Sequence, residues 1–465
     1  MRVCVIGAGA GGLGVAHYLN KNGIEHVTVL EVADRVGGKC CTIVDNGQAY
    51  DMGAIEITPS YSETLSLIDE FQLSDTLVDI PSTVVIDRKT GQEQPFPGAL
   101  YTAEELKELP SQMLLFVNKL KTFSEWMERP GLYDAPSELR CVTFQSWLES
   151  IGAPLVGRMY WVYIDCFGYG SVEKIPAIYG VKFTSVMDFA SAAHRLSLHS
   201  YLPDDIKTNS PPKNVVMLKD GYGNLMNQIA NSLGDRVKLG ARIINIKRES
   251  NLVKVKYKVK DGEDNNGEHV IDEEFDFLVI SVAPAKNNLN FLDLNQTERK
   301  LFSSVYTTTY ATTLKTPTDF SYYQYVELMN KGNPEEPTPK GVVQFAKLWN
   351  NASSNCIFWT DGGSKNMSVI QVEKYVDENI RQIGHGVGKS IATKIWEYFP
   401  QVSLHDLFPD HGNEKASSTV ENDFYNQLES IQGMSSTFYC GGLLNFELVE
   451  TTLRYSKRIA ESIKK

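Results

Sequence analysis

The residues with the clearest chemical use lie near the N-terminus, where Gly7, Gly9 and Gly12 stand between an apolar run, Val3 to Ile6, and an amphipathic stretch reaching about Asn20. Strand, G-x-G-x-x-G and helix in that order suit a dinucleotide. Gly7 permits the tight turn, Gly9 lets backbone approach a pyrophosphate, and Gly12 allows the helix to pack closely on the strand. The helix start then offers unpaired N–H groups and partial positive charge to phosphate. Glu31 lies 19 residues beyond Gly12, at the end of a second apolar run, Val27 to Leu30. A carboxylate there accepts hydrogen bonds from a ribose diol and disfavours a 2′-phosphate. These features together mark a dinucleotide site and leave NAD and FAD both open.

Composition narrows the field. A chain of 465 residues calls for two or more domains. With 45 basic and 57 acidic residues the net charge is −12, which repels nucleic acid and favours a small-molecule partner. No apolar run approaches the ~20 residues of a membrane span. The start of the chain shows no secretory signal, so the expected location is cytoplasmic. Seven cysteines without a C-x-x-C pair and eight scattered histidines suggest neither a disulfide framework nor a metal site, and the cysteines are expected to be mostly buried.

Further along, Ser60 to Ile68 reads as helix and Thr83 to Pro97 as a hairpin turning at Asp87-Arg88-Lys89-Thr90-Gly91. The next hundred residues look helical, opened by a capping box of Thr102 and Glu105. A polar, Pro-containing stretch, Tyr201 to Asn214, precedes a new sheet region at Val215 to Leu218. Val237 to Ile246, Leu252 to Lys260 and Phe275 to Val282 read as strands, with Asp261 to Gly267 as a loop. Val305 to Leu314, Val342 to Lys347 and Val369 to Val376 read as strands around an irregular stretch, Gly332 to Gly341. Thr437 to Cys440 is a last strand before Gly441-Gly442 and a helix from about Phe446.

The residues beyond Glu31 separate the two cofactors. Glu31-Val-Ala-Asp-Arg35-Val-Gly-Gly38-Lys39, then Asp51-Met-Gly53-Ala54, Asp220 to Leu225, and Thr437 to Gly441 resemble the flavin-containing amine oxidase superfamily across the whole chain. The resemblance implies an α/β fold: a glutathione-reductase-type FAD-binding Rossmann domain, a β-sheet substrate domain and a helical cap region. It implies FAD-binding parts at 1–80, 201–285 and 416–465, a substrate-domain hairpin at 81–97, a helical cap at 98–200 and the rest of the substrate domain at 286–415. Carried over, Gly7, Ala8, Gly9, Ala10, Gly11 and Gly12 with Arg35, Gly38 and Lys39 would hold the pyrophosphate and ribityl. Glu31 and Val32 would lie at the adenosine ribose and Ile243 at the adenine. Gly53, Ala54 and Ile55 would lie beneath the isoalloxazine. Gly441, Gly442 and the last helix start, Phe446 to Glu450 with Val449, would face the flavin, where a helix N-terminus stabilises charge arriving at O2.

Within the superfamily, Gly37 to Cys40, Met52 to Ile55, Pro59 to Tyr61, Phe167-Gly-Tyr169-Gly and Pro176 to Tyr179 look like bacterial polyunsaturated fatty acid double-bond isomerases. That group uses FAD to remove a hydride from an allylic carbon and return it elsewhere. Three departures bear on this. The lysine that amine oxidases carry on a substrate-domain strand is missing from Val305 to Leu314, which suits hydride return over net oxidation. Gly442 replaces the usual glutamate, removing a contact to the cofactor. Thr83 or Val84 stands where those isomerases hold a carboxylate-binding arginine, which argues against a free fatty acid.

Phe167, Tyr169 and Phe446 are the substrate-pocket candidates, since aromatic faces stabilise a neighbouring cation. Cys440 reads as a small buried residue, Gly384 to Ser390 as a failed P-loop with Ile383 at its first glycine, and Lys464-Lys465 as an ordinary helix end. The expected function is hydride abstraction and return on an apolar, lipid-like substrate. The rivals are a net oxidase or desaturase of amines, porphyrinogens or carotenoid-like chains, and a flavoprotein without turnover.

Overall fold

The computed structural model describes residues 1–81, 83–87, 92–206, 214–249, 251–260, 268–285, 288–318, 325–329, 341–349, 353–363, 366–409 and 422–463. The turn at 88–91, the loop at 261–267, nearly all of 332–341 and the end at 464–465 lie outside them.

The first strand, β1 (Val3–Ile6), is apolar at every position and buried on both faces, as a central parallel strand must be. It carries β2 (Val27–Leu30) on one side and Phe277–Ile280 on the other, all parallel. Thr437–Tyr439 and Val237–Lys238 complete a five-stranded parallel sheet. The helix α1 (Ala10–Lys21) joins the first two strands and packs on the last helix, Val449–Ser462. A methyl group at Gly14 would fall 3.0 Å from Leu453 and Ser456, so the glycine sets how closely these helices approach.

A three-stranded antiparallel sheet, Arg242–Glu249, Leu252–Lys260 and Glu268–Phe275, flanks the parallel one. Arg248, almost wholly buried, reaches from it to the equally buried Glu298 through two 2.7 Å contacts. Tyr439 of the outer parallel strand donates to the same carboxylate.

The second large layer is a seven-stranded sheet led by two long antiparallel strands, Val305–Thr318 and Gly386–Val402. Thr83–Asp87 and Glu93–Gln94 form the expected hairpin at its far edge. Residues 98–200 fold into helices, among them Ala103–Lys121, Phe144–Ser150, Val156–Ile164, Ala177–Thr184 and Phe189–Arg195. The Thr102–Glu105 capping box forms as read. Among the described residues no helix is long and apolar enough to cross a membrane.

Four readings need correction. Val369 to Val376 is not a strand but the start of the helix Val369–Gln382, capped by Ser368. Its β-branched residues suggested a strand, yet Val372, Val376 and Ile380 recur at helical spacing and are buried, while Ile370 is 80% exposed. Val237 to Ile246 is two strands in different sheets, broken at Gly240, whose φ of +63° turns the chain. Val216–Leu218 opens no large sheet; it pairs with Leu77–Asp79. The strand from Val305 runs on to Thr318 and so includes Lys315.

Two buried groups make this fold testable. Glu298→Ala takes one of two carboxylate partners from Arg248, leaving Asp293 at 2.7 Å, and removing a charged hydrogen-bond partner costs about 1.5–3 kcal/mol; urea unfolding showing no change in stability would contradict the role. Burial raises the Asp51 carboxyl to about 7, against roughly 3.9 in an unfolded chain. The folded protein therefore holds this proton more tightly, and the group's contribution to stability is withdrawn as pH rises from about 4 to about 7. The melting-temperature difference between wild type and Asp51→Asn should shrink across that window; a constant difference refutes it.

Candidate functional site

The glycine turn is held by sterics and by one carboxylate. A methyl group on Gly12 would lie 1.9 Å from the Gly7 carbonyl oxygen, so only glycine lets α1 start this close to β1. Gly7 has φ +98°. Glu31 accepts from the Ala8 N–H at 2.7 Å and the Ala33 N–H at 2.8 Å, clasping the turn to the end of β2. Gly9 bridges to Gly37, and a methyl group on Gly38 would lie 3.2 Å from the Gly9 Cα. Arg35 closes this second glycine loop by donating to the Val36 and Gly38 carbonyls.

Asp51 binds the segments that the sequence presented as separate motifs. It accepts from Thr42 Oγ1 at 2.5 Å and from the Tyr222 N–H at 3.0 Å. The strand Gln48–Asp51 is thereby fixed to the first turn of the helix Gly221–Leu233.

These loops open on one cavity of ≈ 430 Å³, within the range of small-molecule sites. One wall is polar backbone: Gly7, Gly9, Ala10, Gly11, Gly38, Gly53, Ala54, Gly441 and Gly442, with Glu31 and Lys39. The helical region contributes an apolar wall from Tyr163, Phe167, Phe183, Val186 and Met187. The seven-stranded sheet contributes Tyr310, Thr312, Gln344, Trp359, Trp396 and Tyr398. Trp396 donates to the Met52 carbonyl at 2.7 Å, tying that sheet to the loop before Gly53.

Aromatic rings line the junction. Tyr398 stacks on Tyr169 at 5.4 Å and on Tyr310 at 5.1 Å. Phe446 lies behind Tyr169 at 4.8 Å and against Phe399 at 4.9 Å. Burial pushes the Tyr169 and Tyr398 hydroxyls up, so both stay protonated. The turn carrying Phe167 and Tyr169 pivots on Gly168, φ +79°, where a methyl group would meet the Tyr310 ring at 2.3 Å. Phe399 (φ +46°) and Phe446 (φ +72°) hold a backbone region that costs non-glycine residues energy.

Between those two phenylalanines lies a residue that sequence reading missed. Glu447 accepts from Lys39 Nζ and from the Phe399 N–H, and it lines the cavity. A methyl group on Gly442 would meet its Cβ at 2.8 Å. The glutamate missing at 442 is thus matched by a carboxylate delivered from 447 into the adjoining space. Only the absence of a side chain at Gly442 hinted at it.

The cavity gathers Gly7, Gly9, Ala10, Gly11, Glu31, Gly38, Lys39, Gly53, Ala54, Ile55, Gly441, Gly442 and Val449, with Phe167 and Tyr169. Ala8, Gly12 and Arg35 support the turns from behind. Val32 is exposed, Ile243 sits in the three-stranded sheet, and Phe446 backs Tyr169 rather than facing the cavity. The Glu450 side chain is fully buried against Ser62, Thr64 and Arg454, fixing the last helix rather than facing a ligand. Lys315 turns away to Asp377, 2.9 Å, and Ser390. Cys440 lines the cavity, but burial lifts its thiol to about 11. Six of the seven cysteines are buried and Cys141 is exposed. The segment after Gly384 begins the long strand Gly386–Val402 rather than a loop opening a helix. Sequence reading did not recognise that strand, and with it missed Trp396 and Tyr398.

Comparisons with known proteins agree with this geometry. A CLA-producing fatty acid isomerase from P. acnes superposes with a TM-score of 0.78 at 21% identity, covering 99% of this chain and 98% of that one. An FAD-dependent oxidoreductase of Apiospora sacchari is 22% identical over 455 residues, 94% of this chain and 87% of its own. A putrescine oxidase of Kocuria rosea is 29% identical over 147 residues, 32% of this chain and 30% of its own. Local matches reach as little as 10% of a relative's length, as with a possible lysine-specific histone demethylase 1 of Drosophila melanogaster, 38% identical over 94 residues, 20% of this chain. The family model for flavin-containing amine oxidoreductases matches residues 10–320. The chain therefore belongs to the flavin-containing amine oxidoreductase family and is an enzyme with FAD as its cofactor.

Proposed function

We propose that this enzyme moves a double bond within an apolar, lipid-like molecule. The observation that carries the reading is the cavity's apolar aromatic wall, Tyr163, Phe167, Phe183 and Met187, combined with a strand lysine turned away from it. The fold it shares with a fatty acid isomerase supports it.

The residues present fit the cofactor, because the glycine cradle is one that side chains would fill. Gly7 to Gly12 and Gly38 would hold the pyrophosphate, Glu31 the adenosine ribose and Lys39, steadied by Glu447, the ribityl region. Gly53, Ala54 and Ile55 would support the ring, with the start of the last helix at Val449 beside it. Bound FAD supplies a hydride acceptor that can also give the hydride back. The chain's own tasks are then to hold the reacting carbon in place, exclude water and favour positive charge on the substrate. Phe167 and Phe183 exclude water. Tyr398, neutral and stacked between Tyr169 and Tyr310, makes with them a rigid aromatic wall along the cavity.

Anaerobic mixing with polyunsaturated lipids should yield a positional isomer while the flavin absorbance returns to its starting value. Stoichiometric bleaching, with peroxide on admitting air, would instead establish a net oxidase. Removing a charged hydrogen-bonding group costs about 1.5–3 kcal/mol, so Glu447→Ala should raise the FAD dissociation constant on the order of tenfold, read from flavin fluorescence. An unchanged constant would deny Glu447 that place.

A further inference from the structure

Charge along the cavity narrows the substrate class, resting on the reading of this cavity as the substrate site. Among the described residues the lining carries five carboxylates, Glu31, Glu56, Asp188, Glu397 and Glu447, and one ammonium, Lys39, already paired with Glu447. Beside the lining residue Glu56 stands a further cation, Arg195, at the end of the helix Phe189–Arg195. Its side chain is buried and donates to Thr83 Oγ1 at 2.9 Å. Arg195 does not itself line the cavity. Glu56 does, and it holds Arg195 Nη1 at 2.8 Å, with both side chains at or below 10% exposure. A ligand coming from the cavity therefore meets the carboxylate first and the guanidinium only behind it.

A buried ion pair of this kind presents little net charge, and a second carboxylate placed beside Glu56 would be repelled at short range in a poorly screened interior. Asp188 and Glu397 of the lining, which neither hold the cofactor nor pair with Lys39, add to that repulsion, whereas an ester, an alcohol or a hydrocarbon meets none of it. We propose that the cavity selects an uncharged polyunsaturated lipid over a free fatty acid, and that Glu56 determines this specificity by masking Arg195.

The test uses the FAD-loaded enzyme near pH 8 with an 18-carbon diene acid, its methyl ester and its primary alcohol, each below its aggregation limit. Binding is read from the flavin spectrum and turnover from product isomers. Ester and alcohol should bind at least tenfold more tightly than the acid. In Glu56→Gln, which unmasks Arg195, the acid should gain at least tenfold relative to the ester. In Glu56→Gln/Arg195→Gln, which removes both charges, that gain should disappear.

Acid binding as tight as ester in the wild-type enzyme overturns the proposal, and this comparison stands even if Glu56→Gln fails to fold. An acid-to-ester ratio unmoved by Glu56→Gln also overturns it. Efficient isomerisation of the free acid preserves the isomerase reading and sinks this one. A clear ester preference in binding without any isomer formed does the reverse.

Discussion

The turn from β1 into α1 leaves no space for a methyl group between the Gly7 carbonyl and the Gly12 Cα, and much of the molecule depends on that closeness. With the helix pressed against the strand end, its first amides face the cavity, and Glu31 at the end of β2 reaches back to the Ala8 N–H. The second glycine loop then packs on Gly9, and the strand ending in Asp51 is carried with it towards Tyr222. Segments far apart in the chain meet because each is docked on the previous one. The last helix is placed in the same way, through Leu453 and Ser456 against Gly14 and through the buried Glu450 carboxylate against Ser62 and Thr64.

This half was legible in the sequence because its constraints are local and categorical. Only glycine fits certain backbone positions, and the acid must stand at the end of the second strand, so residue type and spacing carry the information. The substrate half obeys weaker rules. Val369, Val372 and Val376 have strand-like chemistry, and only the burial of one helical face settles their conformation. Trp396 and Tyr398 lie on a strand whose opening glycines resemble a phosphate loop, so its identity emerges only through pairing with Val305–Thr318. Arg195 and Glu56 are 139 positions apart, and nothing short of the fold brings them together. Phe167 and Tyr169 could be picked out because their F-G-Y-G string carries the family resemblance and their rings suit a cation, and the Tyr310 ring accounts for Gly168.

The two halves meet at aromatic rings and strained backbone rather than at a hinge of polar loops. Trp396 spans from the seven-stranded sheet to Met52, and Tyr398 stacks between Tyr169 and Tyr310. Phe399 and Phe446 adopt left-handed backbone angles that cost energy, and their ring packing together with the Phe399 N–H bond to Glu447 offsets it. Rigid aromatic walls suit a reaction whose outcome depends on which carbon of a flexible chain is presented.

Glu447 sets a carboxylate beside Gly442, the position at which the resemblance implies a glutamate. The carboxylate stands five positions on, in the loop before the last helix rather than at the strand terminus, and Gly442 is the vacated seat. Column-by-column reading scores such a relocation as two unrelated defects, a deletion of charge and a gain of it elsewhere. The dependence runs one way: a side chain at 442 would displace the residue at 447, so the bare backbone of Gly442 is the space in which the Glu447 carboxylate is seated.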